Sequence, residues 1–398
     1  MTKPQNNTIY NVIIIGAGAS GLFYAAADAS PGRKLILEKT LKPGQKLLMS
    51  GNGACNITHG GSIKDFVGRY GAAGSKIRTC LYKHNNLELM KFLEDGGVKL
   101  IEREDGKVFP ASMQARDILD LLLAKADRNG YGLNCNAEVT GIKYGQPIEV
   151  SLADGTSLST RRLVISTGGA SYPATGSDGS FMDVLKRDLG LDITELKPAL
   201  APVFVQDYPF SYISGVSLED VEVTADSHST RGPLLFTHKG FSGPAILHIS
   251  QYVKPGSLLH LNFLPEAREP EVLKLLKKDQ SGNSKGIANY LAQAFGLPKA
   301  LTEKMFADPT RKFSSMDHKE LETVANLMMD RQFSVSGTGG WNQAMVTAGG
   351  VALSEMNLKE MSLNGYPEIK VIGEALDVNG ETGGYNLQFA YSSAMAAL

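Results

Sequence analysis

The sequence predicts an α/β fold, and three observations support this class. A β-branched run near the start of the chain ends in a glycine-rich turn, a second apolar run ends in an acidic residue, and a third apolar run in the middle of the chain leads into glycines. Apolar runs of this kind are typical of parallel strands that helices cover on both faces. The fold expected from these signals is Rossmann-like, with glycine turns at the carboxyl ends of its strands.

The first element is a strand over residues 11–15, NVIII, which leads into the turn GAGASG at residues 16–21. In a GxGxxG turn the first glycine permits the tight bend, the second lets a pyrophosphate approach the backbone, and the third lets the next helix pack closely. The N–H groups and the dipole of that helix then hold the phosphates. The turn therefore predicts a dinucleotide site.

A second strand, KLILE at residues 34–38, places Glu38 about 20 residues beyond the turn, where the partner of a ribose hydroxyl is expected. Helix-compatible residues separate the two strands. Strand, turn, helix, strand and acid thus follow one another in the order of a dinucleotide-binding unit. NAD and FAD both present an ADP half to such a unit, so these residues leave the choice between them open.

Two segments in the middle of the chain extend the predicted site. Residues 163–169, LVISTGG, read as a short apolar strand that ends in glycines, as expected where the chain passes close to a bound ligand. Residues 137–142 read as an edge or connecting strand. We expect its backbone at Val139 to pair with an adenine edge.

The C-terminal region contains the signal that selects FAD. Residues 369–372 read as a strand, and a loop then leads to the turn GGYN at residues 383–386, where a helix begins. A reduced isoalloxazine ring gathers negative charge at N1 and the C2 carbonyl, and a helix N-terminus stabilises such charge. NAD has no group with this need. The second turn therefore predicts FAD; the alternative is that its glycines only cap a loop before a packed helix.

The motifs of nearly the whole chain resemble those of one family, the BaiN-like or aminoacetone oxidase-like FAD-dependent oxidoreductases. In chain order they are GAGASGL (16–22), SGNGACNITH (50–59), GKVFPAS (106–112), FTHKGFSGPAIL (236–247), VTAGGV (346–351) and GEALDVNGETGGYNLQFA (373–390). The resemblance implies an FAD domain formed from both ends of the chain, with an insertion between them. It also implies that FAD is held at Gly16, Gly18, Gly21, Glu38, Gly373, Glu374, Gly384 and Asn386.

This chain departs from the family pattern at two positions. Many family members carry Arg or Lys where this chain has Ala54, and Asn where it has His59. An anion contact at Ala54 is therefore not carried over, and the substrate of this member stays open.

The insertion reads as two parts. From about residue 198 to 265, short alternating segments such as VFVQ and VEVTA are separated by Gly, Pro and Ser turns, which favours a small β-barrel-like unit. The next stretch, to residue 330, has helical spacing. The predicted division is an FAD-binding domain whose first part is 1–195, an inserted β-rich domain at 196–268, a helical cap at 269–332, and the C-terminal part of the FAD-binding domain at 333–398.

The predicted cofactor-binding residues lie in the two glycine turns, at the end of the second strand and in the loops that follow the strands. They are Gly16, Gly18, Ala19, Ser20, Gly21, Glu38, Lys39, Lys46, Ser50, Gly51, Val139, Thr167, Gly168, Gly373, Glu374, Gly383, Gly384, Tyr385 and Asn386.

His238 is the candidate catalytic residue. It lies beside a glycine turn, where its side chain can exchange a proton with a substrate near neutral pH. The alternative is that it only fixes the turn by hydrogen bonding to backbone. Tyr172 and Tyr385 are further candidates, with packing as their alternative. Cys55 has no second thiol a few residues away to form a redox-active disulfide, so we expect it to be a small buried residue.

Composition narrows the class of partner. Lysine and arginine total 40 against 41 aspartate and glutamate, so no overall field attracts nucleic acid or a membrane surface. We expect a small-molecule substrate, no nucleic acid partner and no membrane association. The chain's 3 cysteines predict neither a disulfide framework nor a metal site, which fits a cytoplasmic protein. The oligomeric state is not predicted.

These features predict an FAD-dependent oxidoreductase that passes two electrons between FAD and a small organic substrate lying between the flavin and the insertion. The second redox partner stays open. Oxygen would make the protein an oxidase of an amino ketone or amine, and NAD(P)H, visiting transiently, would make it a reductase. A hypothesis from another class is a flavin-binding redox sensor or scaffold without turnover.

Overall fold

The structure, a computed structural model, describes residues 8–398. The strands, in chain order, are β1 (Ile9–Ile15), β2 (Lys34–Glu38), β3 (Thr58–His59), β4 (Leu100–Glu102), β5 (Lys107–Pro110), β6 (Tyr131–Cys135), β7 (Val139–Lys143), β8 (Ile148–Leu152), β9 (Ser157–Ile165), β10 (Ile193–Ala199), β11 (Val203–Val205), β12 (Ser217–Ala225), β13 (His228–Phe236), β14 (Gly240–Ser242), β15 (Leu258–Asn262), β16 (Arg331–Thr338), β17 (Val346–Val351), β18 (Met356–Asn357), β19 (Ser362–Leu363) and β20 (Tyr366–Val371).

The helices, numbered in the same way, are α1 (Ala19–Ala27), α2 (Gln45–Met49), α3 (Ile63–Gly68), α4 (Gly71–Lys83), α5 (Asn86–Glu94), α6 (Ala115–Arg128), α7 (Phe181–Leu189), α8 (Pro244–Ile249), α9 (Glu269–Gln280), α10 (Ile287–Phe295), α11 (Lys299–Lys304), α12 (His318–Met329) and α13 (Tyr385–Ala396). Within residues 8–398, no helix is long and apolar enough to cross a membrane.

The chain divides into two compact units. The sheet unit contains the described residues up to Pro198 together with Met345–Leu398, and the barrel unit contains Ala199–Ala344. Each unit has its own cluster of buried apolar side chains.

The sheet unit is built on a sheet in which five strands run parallel. β1 lies between β2 and β9, and parallel pairing continues to β6 on one side and to β20 on the other. Antiparallel strands extend the β20 edge through β19 and β18, and β8 pairs with β9. Because the carboxyl ends of parallel strands meet at one edge, the segments after β1, β2, β9 and β20 come together there.

The apolar runs of the sequence form the centre of this sheet. Ile13 and Ile14 in β1 and Leu163 and Val164 in β9 have no exposed surface. The first helix, α1, packs against β1 and against the last helix, α13. Helix α1 is rich in small residues, which permit this close approach. Most of the helix is buried as a result. The two ends of the chain therefore form one Rossmann-type unit, as predicted.

The barrel unit contains a closed six-stranded barrel in the order β11-β14-β13-β12-β15-β16. Helices α9 to α12 lie in the chain between β15 and β16. The last strand, β16, closes the barrel because it pairs with both β11 and β15. The predicted fold class, a Rossmann-like domain with an inserted β-barrel-like domain and a helical segment, is confirmed.

The division of the structure differs from the predicted boundary at residue 332. The prediction assigned residues 333–398 to the FAD-binding domain, whereas β16 (Arg331–Thr338) belongs to the barrel and the sheet unit resumes at Met345. The reason is long-range pairing: β16 lies more than 60 residues beyond β15 in the chain, and its partner is not visible in local patterns.

Candidate functional site

The turn between β1 and α1 has the geometry that a GxGxxG turn requires. Gly16 has φ +99°, and a Cβ there would lie 2.5 Å from the Ser166 carbonyl oxygen. A Cβ at Gly21 would lie 2.3 Å from the Gly16 carbonyl oxygen, so a side chain would push α1 away from β1. At Gly18, no described atom lies within 4 Å of such a Cβ. The first and third glycines serve packing, whereas the second leaves its backbone open to an approaching group.

The N-terminus of α1 presents backbone donors to this open space. Within α1 no side chain caps the first turn, and that turn contains no acidic residue. The first N–H groups of a helix have no partner inside the helix. Ala19 and Ser20 belong to this turn, so their N–H groups are suited to an anion such as a pyrophosphate.

Glu38 lies at the end of β2, directly beside the glycine turn. Its Oε2 accepts a hydrogen bond from the Ala17 N–H at 2.8 Å, and its Oε1 accepts from the Thr40 N–H at 2.9 Å. The side chain is almost fully buried. The next residue, Lys39, instead forms an ion pair with Asp178 at 2.6 Å. The carboxylate is therefore fixed at the turn, where the sequence predicted it.

The second glycine turn packs on the loop at residues 50–59. Gly384 has φ +95°, and a Cβ there would lie 2.5 Å from the Thr58 carbonyl oxygen. With its side-chain amide oriented to satisfy all of its neighbours, Asn56 accepts a hydrogen bond from the Gly384 N–H at 3.1 Å. Like α1, helix α13 begins without a side-chain cap and without an acidic residue in its first turn. Gly383 also has a positive φ, +126°.

The side chains at the start of α13 hold the turn itself. Asn386 accepts a hydrogen bond from the Gly380 N–H at 2.8 Å and donates to the Gly380 carbonyl at 2.9 Å. The buried ring of Tyr385 stacks on His59 with a centroid distance of 5.6 Å. Both side chains shape the turn that they follow, and their contacts with the cofactor stay predictions.

A polar cluster joins the segments that follow β9 and β20. Lys46 lies 2.6 Å from Glu374 Oε2, and it also donates to Ser171 Oγ. Glu374 Oε1 accepts from the Thr347 N–H at 2.7 Å and from Ser171 Oγ at 3.1 Å. The prediction named Lys46 and Glu374 but missed Ser171 and Thr347. Thr347 lies in the motif VTAGGV, so this motif was the sequence signal that could have pointed to it.

Gly373 begins the turn that carries Glu374. It has φ +66°, and a Cβ there would lie 2.5 Å from Ser20 Oγ in α1. Its N–H donates to Ser393 Oγ in α13 at 3.0 Å. The turn after β20 therefore packs against both the first and the last helix.

The loop after α2 adopts an unusual backbone. Gly51, Asn52 and Gly53 all have left-handed φ values, and so does Cys55. Ser50 anchors the start of the loop because its Oγ donates to the Leu47 carbonyl at 2.7 Å. Non-glycine residues in the left-handed region cost free energy and persist where the surrounding structure enforces them. The loop is therefore held in shape, as expected of a segment that lines a ligand.

The loop after β9 contains a hydroxyl without a partner. Thr167 Oγ1 is buried and has no hydrogen-bond partner among the described residues. The next residue, Gly168, has φ +73° and closely approaches Ser177. Val139, proposed to face an adenine, is buried at the start of β7 and lies opposite Leu152 in β8. A buried hydroxyl normally has a partner, so Thr167 is suited to receive one from a bound molecule.

Taken together, these residues fit FAD. They provide a glycine turn with open space at Gly18, two uncapped helix N-termini, a buried acid at Glu38 and an unpaired hydroxyl at Thr167. The assignment of individual cofactor contacts stays a prediction.

The candidate catalytic residue His238 lies in the turn between β13 and β14, and its side chain is exposed. The hydrogen bonds that close this turn come from Thr237, whose N–H and Oγ1 both donate to the Gly240 carbonyl. The turn therefore has a closing contact other than His238, and the catalytic role of His238 stays a prediction. Tyr172 is half-buried with φ +55°.

Cys55 is fully buried, and burial raises the pKa of its thiol to about 11. Burial also raises the pKa of Cys80, to about 12. Both thiols are therefore neutral at physiological pH, and a neutral thiol is a poor nucleophile. This environment supports the expectation that Cys55 is a small packing residue.

We expect an alkylating reagent at pH 8 to modify Cys135, the half-buried cysteine, much faster than Cys55 or Cys80. Intact-protein mass spectrometry should find a single adduct on the native chain and three after unfolding. Because burial raises the folded-state pKa, Cys55 and Cys80 favour the folded state below the ordinary thiol pKa of about 8.5. That contribution is lost as the pH rises from about 8.5 to the folded-state pKa, which is about 11 for Cys55 and about 12 for Cys80. Rapid native labelling of Cys55 would contradict the assignment.

The chain is similar to several known proteins along almost its full length. The chain is 30% identical over 397 residues to a ribosomal RNA dihydrouridine synthase of Escherichia coli K12, with 97% of this chain and 96% of the relative covered. It is 27% identical to a 3-dehydro-bile acid delta(4,6)-reductase of Clostridium scindens, with 96% and 97% covered. Among solved structures, a 3-ketosteroid-delta4-(5alpha)-dehydrogenase from Rhodococcus jostii RHA1 matches with a TM-score of 0.52 at 14% identity and covers 100% of this chain and 98% of its own.

The last of these likenesses concerns the fold alone, because the sequence identity is low. A match to the family described as "HI0933-like protein Rossmann domain" extends over residues 10–398, almost the full length of the chain. The resemblance seen in the sequence motifs is thereby confirmed. The chain belongs to the HI0933-like family of FAD-dependent oxidoreductases.

Proposed function

We propose that this protein is an FAD-dependent reductase that saturates a carbon–carbon double bond conjugated to a carbonyl group, and that its substrate is uridine in ribosomal RNA. The observation that carries the proposal is the 30% identity, over 96% or more of both chains, with a protein named ribosomal RNA dihydrouridine synthase. The proposed substrate is thus a nucleic acid, whereas the composition led us to expect a small organic molecule.

The names of the two relatives describe the same chemistry. Dihydrouridine differs from uridine by two hydrogens added across a ring double bond beside a carbonyl, and a delta(4,6)-reductase likewise reduces carbon–carbon double bonds. FAD, when bound, supplies the two-electron transfer that this chemistry needs. We propose NAD(P)H as the donor, so the net reaction consumes NAD(P)H, a proton and the unsaturated substrate.

The sheet unit would hold the cofactor through residues described above. The backbone at Gly18 and the N-terminus of α1 bind the pyrophosphate, and Glu38 accepts from the ribose hydroxyls. The N-terminus of α13 after Gly384 stabilises negative charge on the flavin. Lys46 is neutralised by Glu374, so this pair orients the surrounding loops more than it contributes a net charge.

An RNA substrate has to be reconciled with a net charge of −1. Such a chain lacks a long-range field, so local features must provide the binding. The barrel unit has one suitable feature. Tyr212 is 88% exposed, and Lys304 lies 5.5 Å from its ring centroid. An exposed aromatic ring beside a lysine can stack on an unpaired base and contact its phosphate.

A second candidate is the reduction of a small unsaturated ketone. It is favoured by the 27% identity with the bile acid reductase, which covers 96% of this chain. Both candidates use the same flavin chemistry, so only a substrate comparison separates them.

We expect the FAD-loaded protein to convert uridine to dihydrouridine in unmodified ribosomal RNA when NADPH or NADH is supplied without oxygen. The product is measured by mass spectrometry of the digested nucleosides, as a gain of two hydrogens. In an RNA titration, the Tyr212→Ala variant should have a KM for RNA roughly tenfold above that of the wild type. The reason is that one base stack contributes about 1–3 kcal/mol. The matched control is Tyr144→Ala, a tyrosine on the sheet unit.

The same protein is assayed with a steroid 4-en-3-one in place of RNA. Turnover with the steroid alone would replace the RNA proposal by the second candidate. Bleaching of the flavin by NAD(P)H, with peroxide formed on admitting air and neither substrate reduced, would favour an oxidase. Retention of FAD without reduction by any donor would favour the redox sensor.

A further inference from the structure

The ion pair between Lys46 and Glu374 lies at the carboxyl edge of the parallel sheet. Both residues belong to the sheet unit. Lys46 is in α2, whose start is tied to the first glycine turn, because the Gly44 N–H donates to the Ala17 carbonyl at 2.9 Å. Glu374 lies in the turn after β20, which packs against Ser20 at the start of α1. The pair is therefore close to the segment predicted to bind the FAD phosphates.

The two charges of this pair compensate each other. Lys46 Nζ lies 2.6 Å from Glu374 Oε2, and neither group has another ion pair within 4.0 Å among residues 8–398. The two side chains are 25% and 22% exposed, so solvent and salt screen them less than they screen surface charges. The pair as a whole adds no net charge to the site, whereas either partner alone would add a full charge.

Hydrogen bonds from two further segments hold the pair in place. Glu374 Oε1 accepts from the Thr347 N–H at 2.7 Å and from Ser171 Oγ at 3.1 Å. Ser171 Oγ also accepts from Lys46. Both carboxylate oxygens thus bind donors of the chain itself. The Lys46 ammonium has three N–H donors and two acceptors among the described residues, so one donor is left for a bound molecule.

A fixed charge beside a flavin changes its redox equilibrium. Reduction of FAD places negative charge on the isoalloxazine ring, so a nearby cation raises the reduction potential and a nearby anion lowers it. In surroundings with an effective dielectric constant of about 20, one unit charge at roughly 12 Å changes such an equilibrium about tenfold. A compensated pair has a much smaller effect, because the contributions of its two charges largely cancel.

We propose that Lys46 and Glu374 together set the reduction potential of the bound FAD. Lys46 favours the reduced state and Glu374 opposes it, while Ser171 and Thr347 keep the two charges in contact. The pair acts through its electric field and transfers neither a bond nor a proton. The inference rests on the proposed FAD site, but it does not depend on whether RNA or a small ketone is the substrate.

The test is the two-electron midpoint potential of the FAD-loaded protein at pH 8, measured by reduction in the presence of a reference dye. Lys46→Met leaves the Glu374 carboxylate uncompensated. We expect the dissociation constant of reduced FAD to rise about tenfold relative to that of oxidised FAD, which lowers the potential by about 30 mV. Glu374→Gln leaves the ammonium group uncompensated and should raise the potential by a similar amount. The variant that carries both substitutions should return close to the wild type.

The matched control is the exposed ion pair between Lys143 in β7 and Glu149 in β8. These side chains lie 3.5 Å apart and are 78% and 48% exposed. Lys143→Met and Glu149→Gln should leave the potential unchanged, because solvent screens both charges. Ser171→Ala separates charge from structure, since it removes hydrogen bonds but no charge. Its potential should lie closer to the wild-type value than the potentials of the two charge variants do.

Shifts of the same sign in Lys46→Met and Glu374→Gln, or an unchanged potential in both, would overturn the proposal. Glu374→Gln keeps the shape of the side chain and an acceptor oxygen for the Thr347 N–H, so it still tests the proposal if Lys46→Met fails to fold. An unchanged potential in variants that retain FAD would overturn this inference alone. A wild type that binds no FAD would overturn the proposed cofactor site, and this inference with it.

Discussion

Gly18→Ala is expected to lose FAD while keeping its fold. No described atom lies within 4 Å of a Cβ at this position, and the backbone there, with φ −82°, is one that alanine adopts readily. The methyl group would instead enter the space that the pyrophosphate needs. We expect the FAD dissociation constant to rise roughly 5- to 150-fold, since overpacking costs about 1–3 kcal/mol. The free energy of unfolding of the apoprotein should change by less than about 1 kcal/mol.

Gly21→Ala provides the contrasting variant. A Cβ there would lie 2.3 Å from the Gly16 carbonyl oxygen and 2.4 Å from Ser166 Oγ, so α1 must move away from β1. We expect the apoprotein itself to lose about 3 kcal/mol or more of stability. Flavin absorbance after purification and denaturant unfolding of the apoproteins measure the two effects. Full flavin content in Gly18→Ala would show that the pyrophosphate does not approach this glycine.

The second large effect is expected for Glu38→Ala, which should retain little FAD. The variant loses the proposed ribose contacts, and hydrogen bonds to a charged group contribute about 1.5–3 kcal/mol each. It also leaves the Ala17 N–H, now bonded to Glu38 at 2.8 Å, without its acceptor. We expect the FAD dissociation constant to rise roughly a hundredfold. Glu38→Gln keeps one acceptor oxygen but replaces the other by an NH2 donor and removes the charge, so its FAD affinity should fall between those of the wild type and Glu38→Ala.

The matched control is Glu138→Ala, which removes the same charge close to the site. The Glu138 side chain is 52% exposed and lies 3.8 Å from Lys39, so its loss should cost less than about 1 kcal/mol. FAD titration by flavin fluorescence measures all three variants. Equal FAD affinity in Glu38→Ala and Glu138→Ala would show that the buried acid serves only the turn.

Local sequence patterns were sufficient to predict the first half of the candidate site. The strand, glycine turn and acid at residues 11–38 are contiguous, and each has a steric or hydrogen-bonding requirement that few residue types meet. Gly16 and Gly21 illustrate this, because their positions admit no side chain. The family resemblance and the two-unit organisation followed from motifs spread along the chain.

Contacts between distant segments were not visible in this way. The cluster of Lys46, Ser171, Thr347 and Glu374 joins segments up to 328 residues apart, and the hydrogen bonds among them depend on folded geometry. The hydrogen bonds of the Asn386 side chain to Gly380 are a further contact that the sequence did not predict, and its contact with the cofactor stays a prediction. The partner of a short polar side chain is set by the loop that folds over it.

The sequence by itself determined the fold class, the two glycine turns and the acid at Glu38. The hydrophobic period of a strand, the spacing of motif residues and the backbone conformation that a glycine turn requires are all local properties. Only the tertiary structure decided that β16 closes the barrel and that Gly384 packs on Thr58. These features depend on which strands become neighbours. Strand pairing is fixed by burial of the whole chain, and no single segment encodes it.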